Sequence, residues 1–191
     1  MIRTFTAYFR ERFRPTVFAP AVLGLTACAL AAADAVWTMS AIAGALALTS
    51  VLVVHFRLWD DLEDRGRDAQ AHPERVLVRS AAWPFWLLWL ALFLLGAGLL
   101  DKTGRRPALL IYYMVVAAAF LAYHGLRAFI GEGAWSRWVL LAKYPAFVAI
   151  VALAIGPIAP SRLIAAGVVA FAAACLYERA HTRAALPEVS R

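Results

Sequence analysis

An all-α, polytopic bundle of about six transmembrane helices, with both termini cytoplasmic, is the fold class the sequence predicts. The first observation is composition: of 191 residues, 63% are hydrophobic and 16% charged, and mean hydropathy is +0.71. A soluble domain runs nearer about 45–50% apolar and about 25% charged. The second is the recurrence of apolar segments long enough to cross a bilayer, which takes about 20 residues each. The third is the placement of basic residues. With the N-terminus inside, fourteen of the nineteen Lys and Arg fall on the cytoplasmic side and four (Lys102, Arg105, Arg106 and Arg162) outside, with Lys143 inside a span. That asymmetry sets orientation in membrane proteins. These figures exclude a soluble globular domain and a disordered chain, and residues 1–191 read as one transmembrane domain.

Residues 1–15 carry Arg3, Arg10, Arg12 and Arg14, which interrupt any signal-peptide core. Ile2, Phe5, Phe9 and Phe13 recur at helical spacing, as in a short helix lying in the membrane interface. A basic tail without structure fits the same residues. Apolar segments follow at about 17–37 and 40–58, divided near Asp34. Four more follow at about 81–100, 107–127, 138–157 and 162–178. Small residues such as Gly44 and Ala31–Ala33 let such helices pack closely. The net charge of +7 belongs to topology and anionic headgroups, and no nucleic-acid partner is expected. Cys28 and Cys175 sit in separate apolar runs and read as packing residues.

The chemistry concentrates in residues 59–80, an expected cytoplasmic loop between the second and third spans. Six of the twelve acids lie between Asp60 and Glu74. If the helix continues past the membrane, Asp61, Asp64 and Asp68 share one face, with Arg57 one turn earlier. Carboxylates stacked in this way repel unless a cation compensates. A Mg2+ ion takes oxygen ligands and bridges carboxylates to a substrate's phosphates. A solvated acidic run, paired locally through Arg65 and Arg67, is the other reading of the same residues.

The pattern Asp60-Asp61-x-x-Asp64-x-x-x-Asp68, followed by Pro73 and Arg75, resembles the first aspartate-rich motif of the UbiA superfamily of intramembrane prenyltransferases. Asp60 stands where that family usually has Asn, and Val76 replaces a common Pro. The resemblance implies a helical bundle in a bacterial inner (cytoplasmic) membrane, with Mg2+ on Asp61, Asp64 and Asp68 holding a prenyl diphosphate. The prenyl group would pass to an acceptor nucleophile. Asp60, Arg57 and Arg75 are expected to contact substrate, and Lys143 to act in catalysis at the diphosphate. A Lys in an apolar span is a functional suspect, although Lys143 could also snorkel to the interface. The family has about nine spans and a second aspartate motif after the sixth. Here the matching segment offers only Glu178 and His181, so a second copy or a partner membrane subunit would have to complete the site. A non-catalytic lipid-binding or assembly subunit on a shortened scaffold is the alternative.

Aromatic residues near the motif (Trp59, Trp83, Phe85, Trp86, Trp89, Tyr112, Tyr113, Phe120 and Tyr123) are expected to pack, to form an interfacial belt, or to face a carbocation. Tyr123 and His124 are candidates to orient an acceptor, and His55 lies in the span before the motif. Zinc-helix, phosphate-loop and nucleophile-elbow motifs do not occur in the sequence.

Overall fold

A computed structural model describes residues 1–126 and 140–184. The described chain is helical, and its one β-type contact is an isolated bridge between Ala33 and Ile158. In order the helices are α1 (Ile2–Arg12), α2 (Pro15–Ala32), α3 (Met39–Glu63), α4 (Arg65–Ala71), α5 (Val76–Arg79), α6 (Trp83–Lys102), α7 (Arg106–Leu121), α8 (Lys143–Ile155) and α9 (Pro160–Ala184). A single π turn, Ala122–Leu126, extends α7.

Five of these elements, in α2, α3, α6, α7 and α9, are long and apolar enough to cross a membrane. The fifth expected span, at about 138–157, begins outside the described residues, and its described helix is short. α8 has 13 residues, about 20 Å of helix against a hydrocarbon layer of about 30 Å. The second span is longer than expected, because α3 continues to Glu63 and carries Asp60 and Asp61 on its last turn. The expected loop at 59–80 is largely helical, as α4 and α5.

Local chemistry explains the boundaries. Proline occupies the first turn of α2, α6 and α7, where its missing N–H costs nothing. Thr38 caps α3 by accepting a hydrogen bond from the Ala41 N–H at 3.2 Å. Gly104 turns the chain between α6 and α7 at φ 66°, a conformation that favours glycine.

Packing brings helix ends together in two groups. At one end, the Asp34 N–H donates to the Pro157 carbonyl at 2.7 Å, and Arg162 lies 3.6 Å from Asp34. That joins the ends of α2 and α8 to the start of α9. At the other end, Tyr123 and Lys143 both reach Asp60, so α7 ends and α8 begins beside the end of α3. Between these ends, Ala29, Ala32, Ala108 and Ala152 are wholly buried and Ala45 nearly so. Small side chains of this kind let helices approach where lipid offers no hydrophobic drive. α1 crosses the motif end, with Tyr8 packed among Leu58, Leu62, Leu77 and Phe85.

Candidate functional site

The site is built where α3 leaves its apolar stretch. α3 stops at Glu63, and α4 begins at Arg65, with Asp64 at the junction. The continuous stripe expected of Asp61, Asp64 and Asp68 is therefore interrupted, and its members take different partners.

Asp61 is 3% exposed and faces α1. Both its oxygens are held by the Arg12 guanidinium, with Nε donating at 2.8 Å. The Tyr8 hydroxyl donates to it at 2.8 Å, and Arg57 stands 3.5 Å away, one turn back. Burial, and then the Asp61 charge, push the Tyr8 phenol well above its ordinary range. For Arg12, burial works against the charge, but the hydrogen bond and charge of Asp61 outweigh it and raise its pKa. Asp60 points the other way, accepting from Tyr123 and from the Lys143 ammonium. Asp64 pairs with Arg67, and Asp68 with Arg75. Glu63 accepts from the Trp59 indole at 3.2 Å and lies 3.5 Å from His124.

Of the expected residues, Arg57 and Asp61, Asp60 with Tyr123 and Lys143, and Asp68 with Arg75 thus form separate acid–base groups that cluster at the motif end, with His124 at its edge. Lys143 is one of its ion-pair members, with its side chain 13% exposed. Local pairing accounts for Arg67, whereas Arg65 donates to the backbone carbonyls of Leu77, Val78 and Ser80. Glu178 lies half-buried near the end of α9. Arg127, Arg137 and Arg191, used in the charge count, lie outside the described residues, as do the side chains of His181 and Arg183.

Tyr8, Glu11 and Arg12 were not singled out by the sequence reading. Glu11 accepts a hydrogen bond from the Val76 N–H at 3.0 Å, which pins α1 to α5. The available signal was spacing, since Tyr8, Glu11 and Arg12 share a helix side distinct from the Phe5, Phe9 and Phe13 stripe.

Mg2+ was expected on Asp61, Asp64 and Asp68. These carboxylates do not turn their oxygens to one point, and each is compensated by an arginine. Among the described residues no group of three or more His, Cys, Asp and Glu is gathered for a metal ion. This arrangement does not fit the ion.

Under the cluster lies an aromatic layer. Trp59 is 1% exposed, with ring centroids 5.1 Å from Trp89 and 5.6 Å from Tyr123. His55 is wholly buried, and its Nδ1 lies 3.2 Å from the Tyr112 hydroxyl. Tyr112 in turn donates to the Phe93 carbonyl at 3.3 Å. Of the remaining aromatics, Trp83, Trp86, Tyr113 and Phe120 are exposed, while Phe85 is buried.

Comparison with protein-family models, with curated proteins and with solved structures returns no match for this chain.

Proposed function

We propose that this chain is a UbiA-like membrane protein that binds a prenyl diphosphate at the cytoplasmic end of a six-span bundle and transfers the prenyl group to an acceptor. Both termini then face the cytoplasm, and the bacterial inner membrane is the proposed location. The observation that carries this reading is that Arg57, Arg75 and Lys143, from separate parts of the chain, each pair with a carboxylate at the motif end, Asp61, Asp68 and Asp60 in turn. Such cations can leave a carboxylate for a diphosphate, which carries more charge and more acceptor oxygens. In transfer, the allylic C–O bond breaks and its electron pair leaves on the diphosphate. Cations already in place stabilise that developing charge. The acceptor then bonds to the allylic carbon and gives up its proton.

The test is binding and turnover of a labelled allylic diphosphate by purified protein, with Mg2+ and in a chelator. Lys143→Met and Arg75→Gln are expected to weaken binding at least tenfold. Loss of neither binding nor turnover in both variants would overturn the assignment.

One observation favours a second reading. Asp61 is shut away under α1 with both oxygens engaged, which suits a non-catalytic assembly subunit that holds lipid or a partner's helices. A stoichiometric membrane partner that co-purifies, with no diphosphate released from any allylic substrate, would support it.

A further inference from the structure

α1 cannot turn freely, because one of its sides is clasped. Arg12 and Tyr8 hold Asp61, and Glu11 holds the Val76 N–H. Its other side is therefore presented in a fixed direction. There Ile2, Phe5, Phe9, Phe13 and Pro15, with Arg10, line an open groove of about 560 Å³. That volume is in the range of small-ligand pockets, about 300–1,000 Å³. Pro15 is the first residue of α2, so the groove sits where the chain enters its first membrane-crossing helix.

The charge on this side is of one sign. Arg3 and Arg10 are seven residues apart, two helical turns, and share one edge of the phenylalanine stripe. Both are exposed, and neither has an ion-pair partner among the described residues. Arg14, also exposed, lies between the lining residues Phe13 and Pro15. The fourth arginine of the segment, Arg12, is spent on Asp61. An apolar groove edged by uncompensated arginines, at the level where a spanning helix begins, suits a molecule with an apolar chain and an anionic head close together.

We propose that this groove binds one anionic phospholipid, with the phosphate held at Arg3 and Arg10 and an acyl chain lying over Phe9, Phe13 and Pro15. A zwitterionic lipid carries its own cation and would leave these arginines poorly compensated. Because α1 also closes over Asp61, the lipid holds α1 down on the acid–base cluster from the membrane side. The site stands independently of the prenyl-transfer reading.

Native mass spectrometry of the detergent-solubilised protein, titrated with phosphatidylglycerol or with phosphatidylcholine of the same chains, tests it. One phosphatidylglycerol is expected to be retained in preference to phosphatidylcholine. Arg10→Gln is expected to weaken retention roughly fivefold, and Arg3→Gln with Arg10→Gln roughly twenty-five-fold. Arg162→Gln, at the far end of the bundle, should leave it unchanged. Both arginines are exposed, so unchanged melting of the double variant checks that the fold persists. Equal retention of the two lipids, or retention indifferent to Arg3 and Arg10, would overturn the proposal. So would displacement of phosphatidylglycerol by an allylic diphosphate whose own binding falls in Arg10→Gln, since the groove would then belong to that substrate.

Discussion

Asp61 is the residue on which the motif end depends. A carboxylate at 3% exposure is tolerable only while its cation and its hydroxyl donor stay in place, and removing one partner of a buried ion pair costs about 3–5 kcal/mol. Arg12→Met is therefore expected to lower the melting temperature sharply. Arg12→Met combined with Asp61→Leu should recover most of the loss, because no charge is then left unpaired. A double-mutant cycle followed by thermal melting in detergent checks this, and simple additivity of the two losses would refute it. Tyr8→Phe removes one donor and is expected to cost about 1–3 kcal/mol. The Tyr8 phenol is raised in the folded protein by burial and then by Asp61. A group raised on folding contributes fully below its unfolded pKa of about 10 and loses that contribution only as pH climbs through the folded value. Ultraviolet titration should accordingly show Tyr8 still protonated where exposed phenols ionise, so wild type and Tyr8→Phe should superimpose through and beyond about pH 10. A difference of one ionised tyrosine over that range would contradict the clasp.

At the scale of the element, what was legible in the sequence followed from bilayer length. Apolar runs of the right length became α2, α3, α6, α7 and α9 with ends displaced by a few residues, because hydrocarbon thickness sets helix length and prolines mark the starts. Which acid meets which base was not legible. Arg12 and Asp61 are 49 residues apart, and Lys143 and Asp60 are 83 apart. Such pairs exist only once α1, α3 and α8 have docked. The break after Glu63 was likewise invisible to helical periodicity, which runs through it. A contact of the same hidden kind joins α6 to α7. A Cβ built on Gly96 would stand 3.0 Å from the Tyr112 hydroxyl, so this glycine lets Tyr112 lie flat on α6 and reach His55. Gly96→Leu is expected to push the helices apart and cost about 1–3 kcal/mol, with a lowered melting temperature. Tyr112→Phe should remove a similar amount by leaving His55 Nδ1 unpaired. If Gly96→Leu melts as wild type does, the close approach of α6 and α7 is wrong.

For the whole molecule, the decisive feature is which charges share an end. Asp60, Asp61, Lys143 and the clasped α1 lie together, while Asp34, Pro157 and Arg162 meet at the opposite end. Each of α2, α3, α6 and α7 runs from one end to the other, and α8 leads back from Lys143 toward Pro157. The basic residues follow the same division. Arg57, Arg65, Arg67, Arg75 and Arg79 fall at the motif end, whereas Lys102, Arg105 and Arg106 close the turn between α6 and α7. Because Lys and Arg are retained on the cytoplasmic side, the fold and the charge count make one joint statement about orientation. In a variant with Cys28 and Cys175 replaced by alanine, Arg67→Cys and Lys102→Cys supply one exposed thiol at each end. In intact bacterial cells, a membrane-impermeant maleimide is expected to label Lys102→Cys and to spare Arg67→Cys until the cells are opened. Labelling of both thiols in intact cells, or the reverse order, would invert the topology. It would also put the acid–base cluster out of reach of a substrate made in the cytoplasm, which makes this the measurement that prenyl transfer must survive first.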